Sequence, residues 1–175
     1  MRVFLGLETG SAEGEFFSAA KYLACLSGGV PVKRGNLHIT LIYLGTIQSV
    51  SEINDITEAM DRVCHTQKNF YLQIDCPAKI PSHAMACAWI AGETDELNYL
   101  RLDMEDELAR LGFPRDKRKY LPHVTLVKKT RDKWELGDTR MQRLPFLVSR
   151  LTLYESVYQN GELYYIPLYT SEFAG

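Results

Sequence analysis

The spacing of apolar positions changes several times along the chain, and each change marks an element. Val3 to Glu8 is a short, mainly apolar run that reads as a strand. Ser11 to Leu26 places Phe16, Phe17, Ala20, Leu23 and Ala24 at helical intervals and stops at Gly28-Gly29. Leu37 to Leu44 is rich in β-branched and aromatic residues between Gly35-Asn36 and Gly45, which predicts a strand. Ser51 to Cys64 predicts a helix with Ser51 as cap and Ile53, Ile56, Met60 and Val63 turned inward. Phe70 to Asp75 and Met85 to Ala91 read as strands separated by Pro77 and Pro81. Thr94 to Leu111 has the clearest helical stripe, capped by Thr94 and ended by Gly112. His123 to Val127 reads as a strand. Phe146 to Tyr158 and Glu162 to Tyr169 form a hairpin about Asn160-Gly161.

The expected order is β-α-β-α-β-β-α-β, a short helix or loop, then β-β. Mixed helices and hairpin-like connections make the fold class α+β rather than a doubly wound sheet. No low-complexity linker divides the chain. There is a faint internal repeat: Asn36-Leu37-His38-Ile39-Thr40-Leu41 recurs as Leu121-Pro122-His123-Val124-Thr125-Leu126. Each copy is a strand that follows a helix, which suggests two similar lobes contributing one copy each.

Composition narrows the setting. The 175 residues are 46% hydrophobic and 24% charged with a net charge of -2, ordinary for a soluble globular protein. Nucleic-acid binding must therefore rest on a local patch rather than a whole-surface field. Cys25, Cys64, Cys76 and Cys87 form no C-x-x-C pair, and a zinc site from Cys64, His65 and Cys76 lacks regular spacing. The opening Arg-Val-Phe-Leu-Gly-Leu is too short for a signal-peptide core, and no apolar run is long enough for a membrane span. The expected location is the cytoplasm, with reduced thiols.

The two H-x-T-L segments carry the chemistry. Side chains alternate along a strand, so His38 and Thr40 share one face and Leu37, Ile39 and Leu41 the other. His123 and Thr125 are arranged the same way. Two facing lobes would then gather two imidazoles and two hydroxyls. One neutral imidazole can take a proton from water while a protonated one delivers a proton to a leaving oxygen, since histidine's ordinary pKa keeps both forms accessible near neutrality. The threonine hydroxyls can donate to phosphate oxygens as charge builds up.

Paired H-x-T-x motifs resemble the 2H phosphoesterase superfamily, and within it the bacterial and archaeal RNA 2′,3′-cyclic phosphodiesterases first named tRNA 2′–5′ ligases. The likeness runs from Arg2-Val3-Phe4-Leu5-Gly6-Leu7 through Asn36 to Gly45, Gly112-Phe113-Pro114 and the second motif to Leu153-Tyr154-Glu155-Ser156 and Gly161 to Leu168. It implies a bilobal α+β fold in which two pseudo-symmetric antiparallel sheets line a central cleft with helices outside. Residues 1–175 would form one domain of two interleaved lobes, expected to be a monomer. It also implies hydrolysis of 2′,3′-cyclic phosphates on RNA 3′ ends or nucleotides to 2′-phosphates, with no metal or cofactor. His38 would protonate the leaving 3′ oxygen, His123 would activate water, and Thr40 and Thr125 would hold the phosphate. Where the family commonly has arginine after the second motif this chain has Lys128, a substrate-binding candidate that keeps the charge without the bidentate fork. Leu121 stands where arginine is also common. Two other readings are 2′–5′ RNA ligation in the same site and a non-catalytic RNA-end binding module.

Further candidates lie around the motifs. Nine of the 20 Lys and Arg fall between Arg110 and Lys133, opposed only by Asp116 and Asp132, a run that would bind phosphates in a salt-dependent way. Tyr43, Tyr120, Tyr154 and Trp89 offer rings for a terminal base. His65 suits a helix C-terminus, and His83 sits in a loop between prolines; neither belongs to a motif.

Overall fold

The computed structural model describes residues 1–80, 86–131, 134–135 and 143–175, with the side chains of all of these except Ala86, Cys87, Trp89 and Ile90. In chain order the strands are β1 (Arg2–Glu8), β2 (Val30–Pro31), β3 (His38–Thr46), β4 (Phe70–Ile80), β5 (Ala86–Ala91), β6 (His123–Lys128), β7 (Leu144–Val148), β8 (Arg150–Gln159) and β9 (Glu162–Glu172). The helices are α1 (Glu13–Ser27), α2 (Val50–Cys64) and α3 (Asp95–Arg110). All pairings among the strands are antiparallel, in the order β7-β4-β5-β6-β3-β1-β8-β9, with β2 added to β6.

This path is two four-stranded half-sheets joined at β3 and β6. Hydrogen bonding across the join reduces to the single pair Ile39–Val124. Each half repeats the same plan outward from the seam: a motif strand, the strand before its helix, then a third strand and an edge strand. Two of the three helices cross to the other half, whereas α2 stays with the half of β3, the strand it follows. α1 leaves β1 but packs on β6, with Phe16 edge-on to Phe146 of β7 at 5.7 Å. α3 leaves β5 and packs beside β3, while α2 lies on β8 and β9, where Asp61 accepts from Tyr169 (2.8 Å) and Ser171 (2.5 Å). The halves are therefore interleaved, and the buried core lies between sheet and helices, through Leu5, Leu23, Ile39, Met60, Leu100, Val124 and Leu153. Among the described residues no helix is long and apolar enough to cross a membrane.

Local departures from the sequence reading have physical causes. The cap of α2 is Ser49, not Ser51: its hydroxyl accepts from the Glu52 amide (3.2 Å), and the Glu52 carboxylate accepts from the Gln48 amide (3.2 Å), a reciprocal arrangement of capping-box type. Thr94 caps α3 as expected, accepting from Leu97. The stretch Phe146 to Tyr158 is two strands. The chain passes at Ser149 from β7, paired with β4, to β8, paired with β1, and the polar pair Ser149-Arg150 shifts the buried apolar positions from Phe146 and Val148 to Leu151 and Leu153. Pro77 lies inside β4, not between strands, on a stretch paired only with β5, the position a residue without an N–H tolerates. Asn160 and Gly161 turn the hairpin with φ of 52° and 79°, as a type I′ turn demands.

Candidate active site

The seam fixes the geometry of both motifs. Ile39 and Val124, the paired residues, are fully buried on the helix side. Alternation then puts His38, Thr40, His123 and Thr125 on the opposite face, each half-buried. Continuing the same register sets His38 across from Thr125 and Thr40 across from His123. The imidazoles become diagonal neighbours, a relation that separates residues by about 7–8 Å. The four motif side chains expected from sequence to converge are thus on one face of the sheet.

Both rings are held by the same device. The Nδ1–H of His38 donates to the carbonyl of Asn36 (2.8 Å), and the Nδ1–H of His123 donates to the carbonyl of Leu121 (2.7 Å). A carbonyl only accepts, so in the neutral form of each ring the lone pair is on Nε2. Nε2 of His38 accepts from the Thr40 hydroxyl at 3.0 Å. Asn36 was not singled out from sequence, yet its carboxamide also donates to Leu163 O (2.8 Å) and accepts from Tyr165 N (2.9 Å). It reads the edge of β9 as a neighbouring strand would, and so ties His38 to that edge.

The strands beside the motifs are shaped to leave space. Gly6 is the register partner of Thr40, and Ala88 that of Thr125. A Cβ on Gly6 would lie 3.2 Å from the Tyr154 ring and 3.3 Å from the His38 ring, so the bare backbone is what lets both rings close over β1. Phe4, Tyr154 and Tyr165 surround His38: its ring centroid is 4.8 Å from Phe4 and 4.8 Å from Tyr165, the latter edge-on. Burial pushes the Tyr165 hydroxyl up to about 12 and the Tyr154 hydroxyl up as well, so both remain neutral donors.

That enclosure lowers the His38 pKa to about 4. Desolvation is the largest cause, the Asn36 carbonyl opposes it, and the charges of Lys128 and His123 lower it further. The ring is neutral at pH 7, and the proton it would bind in the unfolded chain is excluded from the fold. Stability should therefore be fully present above pH 6.5 and fall as pH drops towards 4, by at most about 3 kcal/mol. Urea unfolding between pH 7 and 4.5 should register this loss, and His38→Asn should flatten it; an equally steep loss in the variant would place its origin elsewhere.

Lys128 joins the site by way of a bulge. Strict alternation would put it on the face opposite His123. However, Thr125 and Val127 pair with the consecutive residues Ala88 and Cys87, so β6 carries one extra residue at Leu126. Leu126 and Val127 are both fully buried, and Lys128 returns to the face of the imidazoles. Its Nζ lies 5.8 Å from the Tyr165 ring centroid, and burial lowers its pKa.

The remaining candidates separate clearly. The basic run is not one patch. Arg110 pairs with Glu107, Arg115 with Asp106 and Arg118 with Asp116 around the end of α3, whereas Lys128 and Lys129 lie at the other end of β6; Lys133 lies outside the described residues. Tyr120 is committed to the seam, donating to Thr40 O at 3.1 Å beneath the Arg101 guanidinium. Tyr154 is buried against Phe4, and Tyr43 remains exposed at 5.8 Å from the same ring. The Trp89 side chain and His83 lie outside the described residues. His65 donates to its own helix at Asp61 O (2.6 Å). Burial pushes the Cys64 thiol up to about 11, and among the described residues no three His, Cys, Asp or Glu side chains gather for a metal.

A family model, the 2′-5′ RNA ligase superfamily, matches residues 13–159, which include both motifs. The chain belongs to this superfamily. It is 28% identical over 157 residues to an RNA 2′,3′-cyclic phosphodiesterase of Thermotoga maritima, covering 85% of this chain and 81% of that one. It is 29% identical over 141 residues to a protein of the same name from Archaeoglobus fulgidus, covering 79% and 78%. Among solved structures, Escherichia coli LigT complexed with 3′-AMP aligns with a TM-score of 0.79 at 22% identity, over 99% of this chain and 98% of that one. Superfamily membership accounts for the 2H phosphoesterase resemblance of the motifs, and the LigT likeness matches the α+β architecture of two antiparallel half-sheets.

Proposed function

We propose that this 2′-5′ RNA ligase superfamily member is an RNA 2′,3′-cyclic phosphodiesterase that leaves a 2′-phosphate, and that the whole chain acts as one catalytic unit. The observation that carries the reading is the seam: one register pair between β3 and β6 gives both imidazoles a common face, and both Nδ1 atoms are tied back so that both Nε2 atoms are available to one ligand. The names of the curated relatives support the substrate class.

His123 Nε2 takes a proton from water as its oxygen bonds to phosphorus. The bond from phosphorus to the 3′ oxygen breaks, and Nε2–H of His38 supplies that oxygen with a proton. The products are a 3′ hydroxyl and a 2′-phosphomonoester, and solvent restores the two rings. His38 is neutral in the free protein, but an anionic phosphodiester beside it favours the charged ring, so substrate binding loads the donor. Thr40 and Thr125 donate to the non-bridging oxygens, and Lys128 offsets their charge.

Incubation of a nucleoside 2′,3′-cyclic phosphate with the protein in EDTA tests this. The expected product is the 2′-phosphate. A 3′-phosphate, or no turnover of any cyclic phosphodiester, would refute the reading.

A further inference from the structure

We infer that a groove leading away from His38 holds the phosphodiester preceding the terminal nucleotide, so the protein favours an RNA strand over a lone nucleotide; this rests on the function proposed above. The groove is a cavity of about 230 Å³. One half-sheet supplies Pro31, Val32, Lys128 and Lys129, and the β8–β9 turn of the other supplies Tyr158 and Glu162. It adjoins the motif face, since Lys128 and Asn36 line it, the Asn36 carbonyl holds the His38 ring and the Lys128 ammonium lies by the Tyr165 ring beside His38.

Its charge suits an anion. Glu162 is the acid in its wall, and the ammonium of Lys33 already neutralises it at 2.5 Å, with the Tyr164 hydroxyl 2.9 Å from the same Nζ. Lys128 and Lys129 have no acidic partner among the described residues. Consecutive strand residues would face opposite ways, but the chain leaves β6 at Lys129 with φ 56°, so both lysines line the same groove. Tyr158, 74% exposed at the rim, adds an aromatic face. Lysines beside an exposed ring are the pattern that holds single strands without reading base identity.

The other routes from the motifs suit a phosphate less well. At the Tyr43 end, Arg115 and Arg118 are paired with Asp106 and Asp116, and the cavity there is only about 40 Å³. On the far flank of His38 a cavity of about 540 Å³ presents Glu8 and Glu13, and its one arginine, Arg150, is bonded to Glu8 and Glu172. That flank repels anions and leaves the lysine groove as the path for the strand.

The test compares kcat/KM for a nucleoside 2′,3′-cyclic phosphate with that for a dinucleotide ending in the same group, and measures binding of the corresponding dinucleotide 2′-phosphate at several salt concentrations. The unmodified protein should prefer the dinucleotide by about tenfold, and Lys129→Ala should lessen the salt dependence of dinucleotide binding, since one lysine–phosphate contact is lost. Lys129→Ala should abolish the preference while leaving the mononucleotide rate unchanged, and Lys129→Arg should retain it. The inference fails if Lys129→Ala leaves the preference and the salt dependence intact, or if Lys117→Ala with Lys119→Ala removes them instead. Because binding is read separately, a protein that turned over neither substrate would refute the proposed reaction and still decide the groove.

Discussion

Replacing His123 or His38 by alanine is expected to lower kcat for a nucleoside 2′,3′-cyclic phosphate by about 10²–10⁴-fold, with KM little changed. The reason lies in the seam. In the proposed mechanism each imidazole would approach the phosphate from its own strand, and its Nδ1 is already engaged by a carbonyl two residues upstream. The other motif side chains on that face, Thr40 and Thr125, are hydroxyls that cannot replace an imidazole as acid or base near neutrality. In that mechanism the two rings would act in one step, one accepting as the other donates, so the double variant should be little worse than the poorer single one. His65→Ala should leave the rate unchanged, because that ring is engaged by its own helix. Steady-state rates across these variants decide the matter, and a His38 or His123 variant with the parent's kcat removes that residue from the mechanism.

The second large effect concerns the threonines. Thr40→Val and Thr125→Val keep the branched shape that suits a strand and delete only the hydroxyl. A donor aimed at developing charge on a reacting oxygen typically contributes about 10²–10³-fold to kcat, and each variant should lose on that scale. Serine at either position should recover most of it. The two should differ in one respect. The Thr40 hydroxyl also donates to His38 Nε2 at 3.0 Å, a bond available only to the neutral ring. Its loss should raise the His38 pKa above its depressed value near 4, visible as a higher acid limb in the kcat/KM profile of Thr40→Val but not of Thr125→Val. Equal limbs in both variants would mean that this hydroxyl does not set the state of His38.

Much of this arrangement was legible in the residues. The H-x-T alternation separates a polar face from an apolar one without knowledge of the fold, and the repeat implies that two such faces exist. Element types were readable because Gly28, Gly112 and Asn160-Gly161 punctuate the chain. What lay beyond sequence depended on long-range pairing. At Ser149 the passage between half-sheets is marked only by the polar pair Ser149-Arg150 and the change of parity from Phe146 and Val148 to Leu151 and Leu153, a break that also fits a bend within one strand. The crossing of α1 to the opposite half follows from sheet order, not from its own periodicity. Lys128 entered by resemblance and as one of a basic run, not from strand geometry, since simple alternation from His123 puts it on the wrong face. The consecutive apolar pair Leu126-Val127, breaking the alternation, was the one local sign of the bulge. Phe4, Asn36 and Tyr165 were missed because their roles come from contacts with His38 made by other strands, and neither an apolar residue in β1 nor an asparagine before a motif signals such a contact.

The most direct measurement is a crystal structure of the protein with a nucleoside 2′-phosphate bound. Nε2 of His38 and Nε2 of His123 should lie within about 2.6–3.2 Å of oxygens on the same phosphorus, from opposite sides. A phosphate that touches only one of the two rings, or that binds away from the β3–β6 seam, would contradict the account.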